Sequence, residues 1–72
     1  MPTVSGTVVA VQESRFQLAL DDGSRRLFVL AHDAAIEPEQ LTSLQREQLR
    51  VAVSYRQCDG LIADEAHAIA RA

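Results

Sequence analysis

Among its 72 residues the chain has one cysteine, two prolines, three glycines, no tryptophan and no lysine. The lone thiol, Cys58, makes no internal disulfide, so no covalent staple holds the fold, and a reducing, cytoplasmic setting is the default expectation. No apolar run approaches the roughly 18 residues of a membrane span or follows a basic start of the signal-peptide kind, which leaves no warrant for a membrane partner. Aromatics are nearly absent: Phe16, Phe28 and Tyr55 are all there are. The apolar fraction of 47% is ordinary, but much of it is alanine. The core must therefore rest on Leu, Ile and Val. A chain this short buries only about 60% of the surface its unfolded form exposes, so its stability is expected to be modest and self-association would support it.

Positive charge is also scarce. Seven basic residues against ten acidic ones leave a net charge of −3, which removes the global field that draws proteins onto phosphate backbones. Every basic residue is arginine. Arginine offers a planar, bidentate donor, but a compositional bias of the source genome produces the same pattern. Only Arg25 and Arg26 are adjacent, whereas a basic binding patch usually clusters. There is no Gly-rich phosphate loop, no metal-type spacing of Cys or His and no nucleophile elbow. No enzymatic activity, no catalytic residue, no metal and no cofactor is expected.

What the chain does have is a hairpin. Phe16-Gln17-Leu18-Ala19-Leu20 and Arg26-Leu27-Phe28-Val29-Leu30 alternate with period two on either side of Asp21-Asp22-Gly23-Ser24. Before it, Val4 to Val11 reads as a first strand, apolar on both faces, with Gly6 marking a bulge or a bend, and Gln12-Glu13-Ser14 forms a turn. The second strand covers about Arg15 to Leu20 and the third about Arg25 to Leu30. Pro38 suits the first turn of a helix whose positive end Glu37 and Glu39 complement, with Leu41, Leu44 and Gln48 on one stripe. Leu49 to Arg56 alternates again, placing Leu49, Val51, Val53 and Tyr55 on one face, and Cys58-Asp59-Gly60 makes a turn. The segment from Leu61 to Ala70 is ambiguous. Its Ala-rich composition favours helix, yet a closed barrel needs a strand there through about Ile69.

The turn decides which face each residue of the third strand occupies, because a slip of one residue inverts them all. A two-residue Asp22-Gly23 turn pairs Leu18 with Leu27 and points Phe28 outward beside Arg26 as an aromatic-arginine platform. A three-residue loop with Gly23 in the left-handed position instead places Phe28 and Leu30 inside with Phe16 and Leu18. The second register is favoured because it pairs the two phenylalanines in the core, where large aromatics contribute most.

Gly6-Thr7-Val8, followed by Phe16-x-Leu18-x-Leu20-Asp21-Asp22-Gly23, resembles the opening hairpin of small OB-fold domains, notably the bacterial translation initiation factor one family. The resemblance covers the first third of the chain, and the strand-helix-strand order extends it loosely over the rest. It implies one domain over residues 1–72: a mainly β, five-stranded OB-like small barrel with one short helix between strands three and four. The initiation factor carries basic residues after strand three that contact ribosomal RNA. Here Ala31-His32-Asp33-Ala34-Ala35-Ile36-Glu37 is neutral to acidic, so the RNA function does not carry over.

Three clusters offer chemistry, each with a plainer reading. His32, Asp33, Cys58 and His67 suit a transition metal only if at least three meet, and they are scattered. Cys58 has only Arg56, two residues earlier, as a cationic neighbour. Asp64, Glu65 and His67 offer an acid and a base but read as solvated charges. A surface remains: Arg15, Gln17 and Ala19 on the second strand, joined by Arg25, Leu27 and Val29 on the third, with Arg56 nearby. Exposed Leu27 and Val29 beside arginine suit a protein partner or a homodimer seam. The alternative is a single-stranded nucleic-acid groove lined by Arg15, Arg25, Arg26 and Arg56.

Overall fold

Asp21-Asp22-Gly23 closes as a three-residue loop. In the computed structural model, which describes residues 1–58 and 63–72, Gly23 has φ +89°. The Leu20 amide donates to the Ser24 carbonyl at 2.8 Å, and the Gly23 amide to the Leu20 carbonyl at 3.0 Å. Asp22 locks the loop by accepting from the Ser24 amide and hydroxyl at 2.9 and 2.6 Å, the local bond that makes aspartate a turn residue. The loop joins β2 (Arg15–Leu20) to β3 (Arg25–Leu30) in the favoured register, with Phe16 opposite Phe28 and Leu18 opposite Arg26. Phe28 is fully buried. Its ring stacks on Phe16 at 5.4 Å and meets the Tyr55 ring edge-on at 5.5 Å.

β1 (Thr3–Gln12) serves two neighbours. Its first half pairs with β4 (Arg50–Arg56) and its second with β2, and Gly6 belongs to both ladders, opposite Leu20 and Val51. A Cβ at Gly6 would lie 2.2 Å from the Ala19 carbonyl oxygen. The glycine is therefore there for close approach of backbone. The bulge expected at Gly6 falls instead between Val8 and Ala10. There the Val9 carbonyl accepts a bond from Gln45 Nε2 at 3.1 Å, so the helix helps to satisfy the bulged backbone. Glu13, in the tight turn into β2, has φ +56°.

β5 (Asp64–Arg71) runs parallel to β3 over Asp64 to Ala66 and antiparallel to β4. With it the barrel closes in the order β1-β2-β3-β5-β4. The last segment is thus a strand despite its helical composition, since pairing with two neighbours outweighs local preference. Along it the register shifts between Ser54 and Tyr55, so that Tyr55 faces Ala66 and Ser54 faces Ala68. The expected turn at Asp59-Gly60, and Leu61 and Ile62 after it, lie outside the described residues.

α1 (Pro38–Glu47) joins the end of β3 to the start of β4 and closes that end of the barrel. Gln40 Oε1 accepts from the Glu37 amide at 2.7 Å, satisfying one of the free donors of the first turn. Leu41 is fully buried and Leu44 packs against the core. Gln48 was expected on this stripe. It lies instead at the helix end with φ +54°, exposed, its amide bonded to the Gln45 carbonyl; a residue in the left-handed region has left the helical spiral. Val8, Phe16, Leu18, Phe28, Leu41, Val51, Val53, Tyr55 and Ala66 make up the core.

Removing the Phe28 ring leaves a cavity that so small a core cannot refill. Phe28→Ala is expected to lose about 3 to 5 kcal/mol, comparable with the whole stability of a marginal domain, and to be largely unfolded in a circular-dichroism melt. A variant that melts within a few degrees of the parent would place Phe28 outside the core.

Candidate functional site

The β2–β3 ladder collects five of the six expected surface residues. Outside the barrel, Arg15 is opposite Val29, Gln17 opposite Leu27 and Ala19 opposite Arg25. Arg56 is farther round: it is opposite Glu65 on β5, which in turn is opposite Val29, so Arg56 stands at the rim of the face. Arg15, Arg25 and Arg56 are exposed, and none of them is in an ion pair among the described residues.

Two grooves flank this ladder. One, of about 280 Å³, lies toward β1 between Ala10, Val11, Phe16, Gln17, Leu27 and Arg15. The other, of about 260 Å³, lies toward β5 and is lined by Arg15, Leu27, Val29, Cys58, Ala63, Asp64 and Glu65. Leu27 and Val29 were expected as exposed apolar surface. They are half-buried because they form the floor and walls of these grooves, and Met1 is the only exposed large hydrophobic among the described residues. The face is a furrowed, cationic surface in place of a flat apolar seam.

Arg26 was expected in a cationic groove beside Arg15, Arg25 and Arg56. It points the other way. Its position opposite Leu18 turns it to the barrel interior, at the start of β3, where it meets the end of β4 and the start of β5. There Nη1 donates to the Tyr55 hydroxyl at 3.0 Å and Nη2 pairs with Asp64 Oδ2. The guanidinium carbon sits 4.5 Å from the centroid of the Tyr55 ring and 5.5 Å from that of Phe28. Bonding to the Tyr55 hydroxyl, and then to Asp64, raises the Arg26 pKa further despite partial burial. Arg26 thus caps the barrel end away from α1, packing over two aromatic rings while its charge is met by a carboxylate. Asp64, expected as a solvated charge, is consumed in this cap. The signal was in the alternation itself, since Arg26 shares the parity of Phe28 and Leu30.

His67 lies between two carboxylates. His67 Nε2 is 2.6 Å from Glu65 Oε1 and its Nδ1 is 3.6 Å from Asp33 Oδ1, so both ring nitrogens face carboxylates. Glu65 is therefore engaged with His67, not free in solvent. Neither His32 nor Cys58 joins them, and among the described residues no set of three or more His, Cys, Asp or Glu side chains is arranged to hold an ion. The Cys58 thiol donates to the Arg56 carbonyl at 3.8 Å.

Across β1, Arg50 grips Asp21 with two bonds, Nη2 to Oδ2 at 2.5 Å and Nε to Oδ1 at 3.3 Å. The Arg50 bond holds the Asp21 carboxyl below its ordinary value near 3.8. The Ser24 hydroxyl, followed by the Ser24 amide, does the same to Asp22. Comparison with protein-family models, with curated proteins and with solved structures finds no match for this chain.

Both carboxyls of the β2–β3 loop have folded-state pKa values lowered from the unfolded value. Their contribution to stability is therefore present above pH about 4 and is lost as pH falls through the folded values. The melting temperature is expected to drop below pH 4, and the Asp21→Asn/Asp22→Asn double variant, already without these carboxylates, to show a shallower drop. An equal acid dependence in parent and variant would assign the effect to other groups.

Proposed function

We propose that the chain is a non-enzymatic interaction module of OB type that binds a protein partner through the outer face of β2 and β3. Support for the OB assignment comes from the strand order β1-β2-β3-β5-β4, the parallel β3–β5 pair and the helix between β3 and β4. One observation carries the functional reading. A single ladder places Arg15, Gln17, Arg25, Leu27 and Val29 on one face, between two grooves, with both arginines outside any ion pair among the described residues. Apolar groove floors under arginine are the composition of a protein interface.

The competing readings fare less well on the same residues. Binding of single strands relies on exposed aromatic platforms, whereas Phe16, Phe28 and Tyr55 are buried. One of the four arginines expected to line a groove is turned into the barrel, and the net charge is −3. A homodimer seam would need an apolar centre, and Leu27 and Val29 lie half-buried in the grooves.

Selection of a random-peptide display library on the immobilised chain tests the reading, with Leu27→Asp as the counter-target. Leu27 is on the outer face, so Leu27→Asp is expected to melt near the parent and to lose binding of most enriched clones. Fluorescence anisotropy with ten-residue oligo-dT and oligo-U at low salt, where electrostatic affinity is greatest, is expected to stay flat. Clones indifferent to Leu27→Asp, or micromolar binding of either oligonucleotide, would overturn the proposal.

A further inference from the structure

The two grooves share a centre. Arg15 and Leu27 line both of them, so the face is one trough that passes over Arg15 between two mainly apolar hollows, one bordered by Ala10, Val11 and Gln12 and the other by Val29, Cys58 and Ala63. The two acids that line the trough are occupied: Asp64 pairs with Arg26, and Glu65 Oε1 lies 2.6 Å from His67 Nε2. Arg15 is exposed and in no ion pair among the described residues. A cation thus stands at the middle of an apolar trough on a chain whose net charge is −3. At physiological ionic strength, charges beyond about 8 to 10 Å are screened, so an approaching ligand responds to this local cation more than to the global balance.

We propose that the trough binds an extended acidic segment of a partner protein, with one carboxylate on the Arg15 guanidinium and apolar side chains two residues before and after it seated in the two hollows. This inference rests on the binding-module reading and names its ligand. In an extended chain, residues i−2, i and i+2 share a side and follow at about 6 to 7 Å. One backbone conformation therefore presents an apolar, an acidic and a second apolar side chain to the same surface. The guanidinium fork matches a carboxylate in two parallel bonds. An exposed ion pair contributes little on its own, so the apolar side chains supply the affinity while the carboxylate sets register and choice of partner. Arg25, farther along β3, suits a second acidic residue and leaves the central requirement unchanged.

The test reads the composition of peptides enriched on the full chain, then measures single peptides by fluorescence polarisation. Enriched peptides are expected to share Asp or Glu with apolar residues at both i−2 and i+2. Replacing that acid by its amide is expected to weaken binding to the parent about fivefold, as one exposed ion pair allows. The same replacement is expected to leave binding to Arg15→Gln unchanged, with Arg15→Gln melting as the parent does. Raising the salt is expected to narrow the difference between acid and amide peptides. Peptides that need Leu27 but carry no such acid, or that lose affinity equally on the parent and on Arg15→Gln, would overturn this inference while leaving the binding module standing. Peptides insensitive to Leu27→Asp would remove both. Displacement of the peptides by oligo-dT or oligo-U would reassign the trough to nucleic acid.

Discussion

The stacking of Phe16 on Phe28 is the constraint from which the rest of the barrel follows. These are the two largest fully buried side chains, and they face each other in only one register of the β2–β3 hairpin. A slip of one residue would turn Phe28 to solvent and bring Leu27 and Val29 inside. It would also move Arg26 from the barrel interior to the surface, leaving Asp64 and the Tyr55 hydroxyl without their partner. The loop that permits the stack needs a residue with positive φ, which Gly23 supplies, and a local acceptor, which Asp22 supplies. Three residues of turn chemistry thus determine the core, the cap at one end and the composition of the outer face.

Barrel closure depends on a second constraint, at Gly6. Because the glycine takes part in both ladders of β1, the strand coils from β4 to β2 at the point where the Ala19 carbonyl comes too close for any side chain. The two open ends are then sealed by different means. Leu41 of α1 plugs one with apolar volume, and Arg26 covers the other with a guanidinium laid over Tyr55 and Phe28. Few aromatics suffice because each is used at a junction: Phe16 and Phe28 between β2 and β3, Tyr55 between the core and the Arg26 cap.

Period-two patterning made β2, β3 and β4 legible from sequence, and with them the faces of β2 and β4, since alternation reports the half-buried state directly; which face of β3 turns inward depended on the turn. Turn chemistry around Gly23 carried the register. Other features depend on contacts between residues distant in sequence. Nothing near Gly6 announces that the Ala19 carbonyl will press on it, so the glycine reads as a bulge, and the real bulge at Val9 is tied to a glutamine in the helix. The final strand is Ala-rich and looks helical until β3 and β4 are seen to bracket it. The site was legible in part: alternation, with the three-residue loop favoured for the turn, assigned Arg15, Gln17, Arg25, Leu27 and Val29 to one face. It did not reveal that neighbouring side chains half-cover Leu27 and Val29, or that Asp64 would claim Arg26.

Nuclear Overhauser contacts across the β2–β3 hairpin test the register most directly. With a three-residue loop, cross-strand contacts link Phe16 to Phe28 and Arg15 to Val29, and the Phe28 ring protons also contact those of Tyr55. Cross-strand contacts between Leu18 and Leu27, with no Phe16–Phe28 contact, would instead establish a two-residue turn. That result would contradict the buried phenylalanine pair, the inward Arg26 and the trough built on Arg15 and Leu27 together.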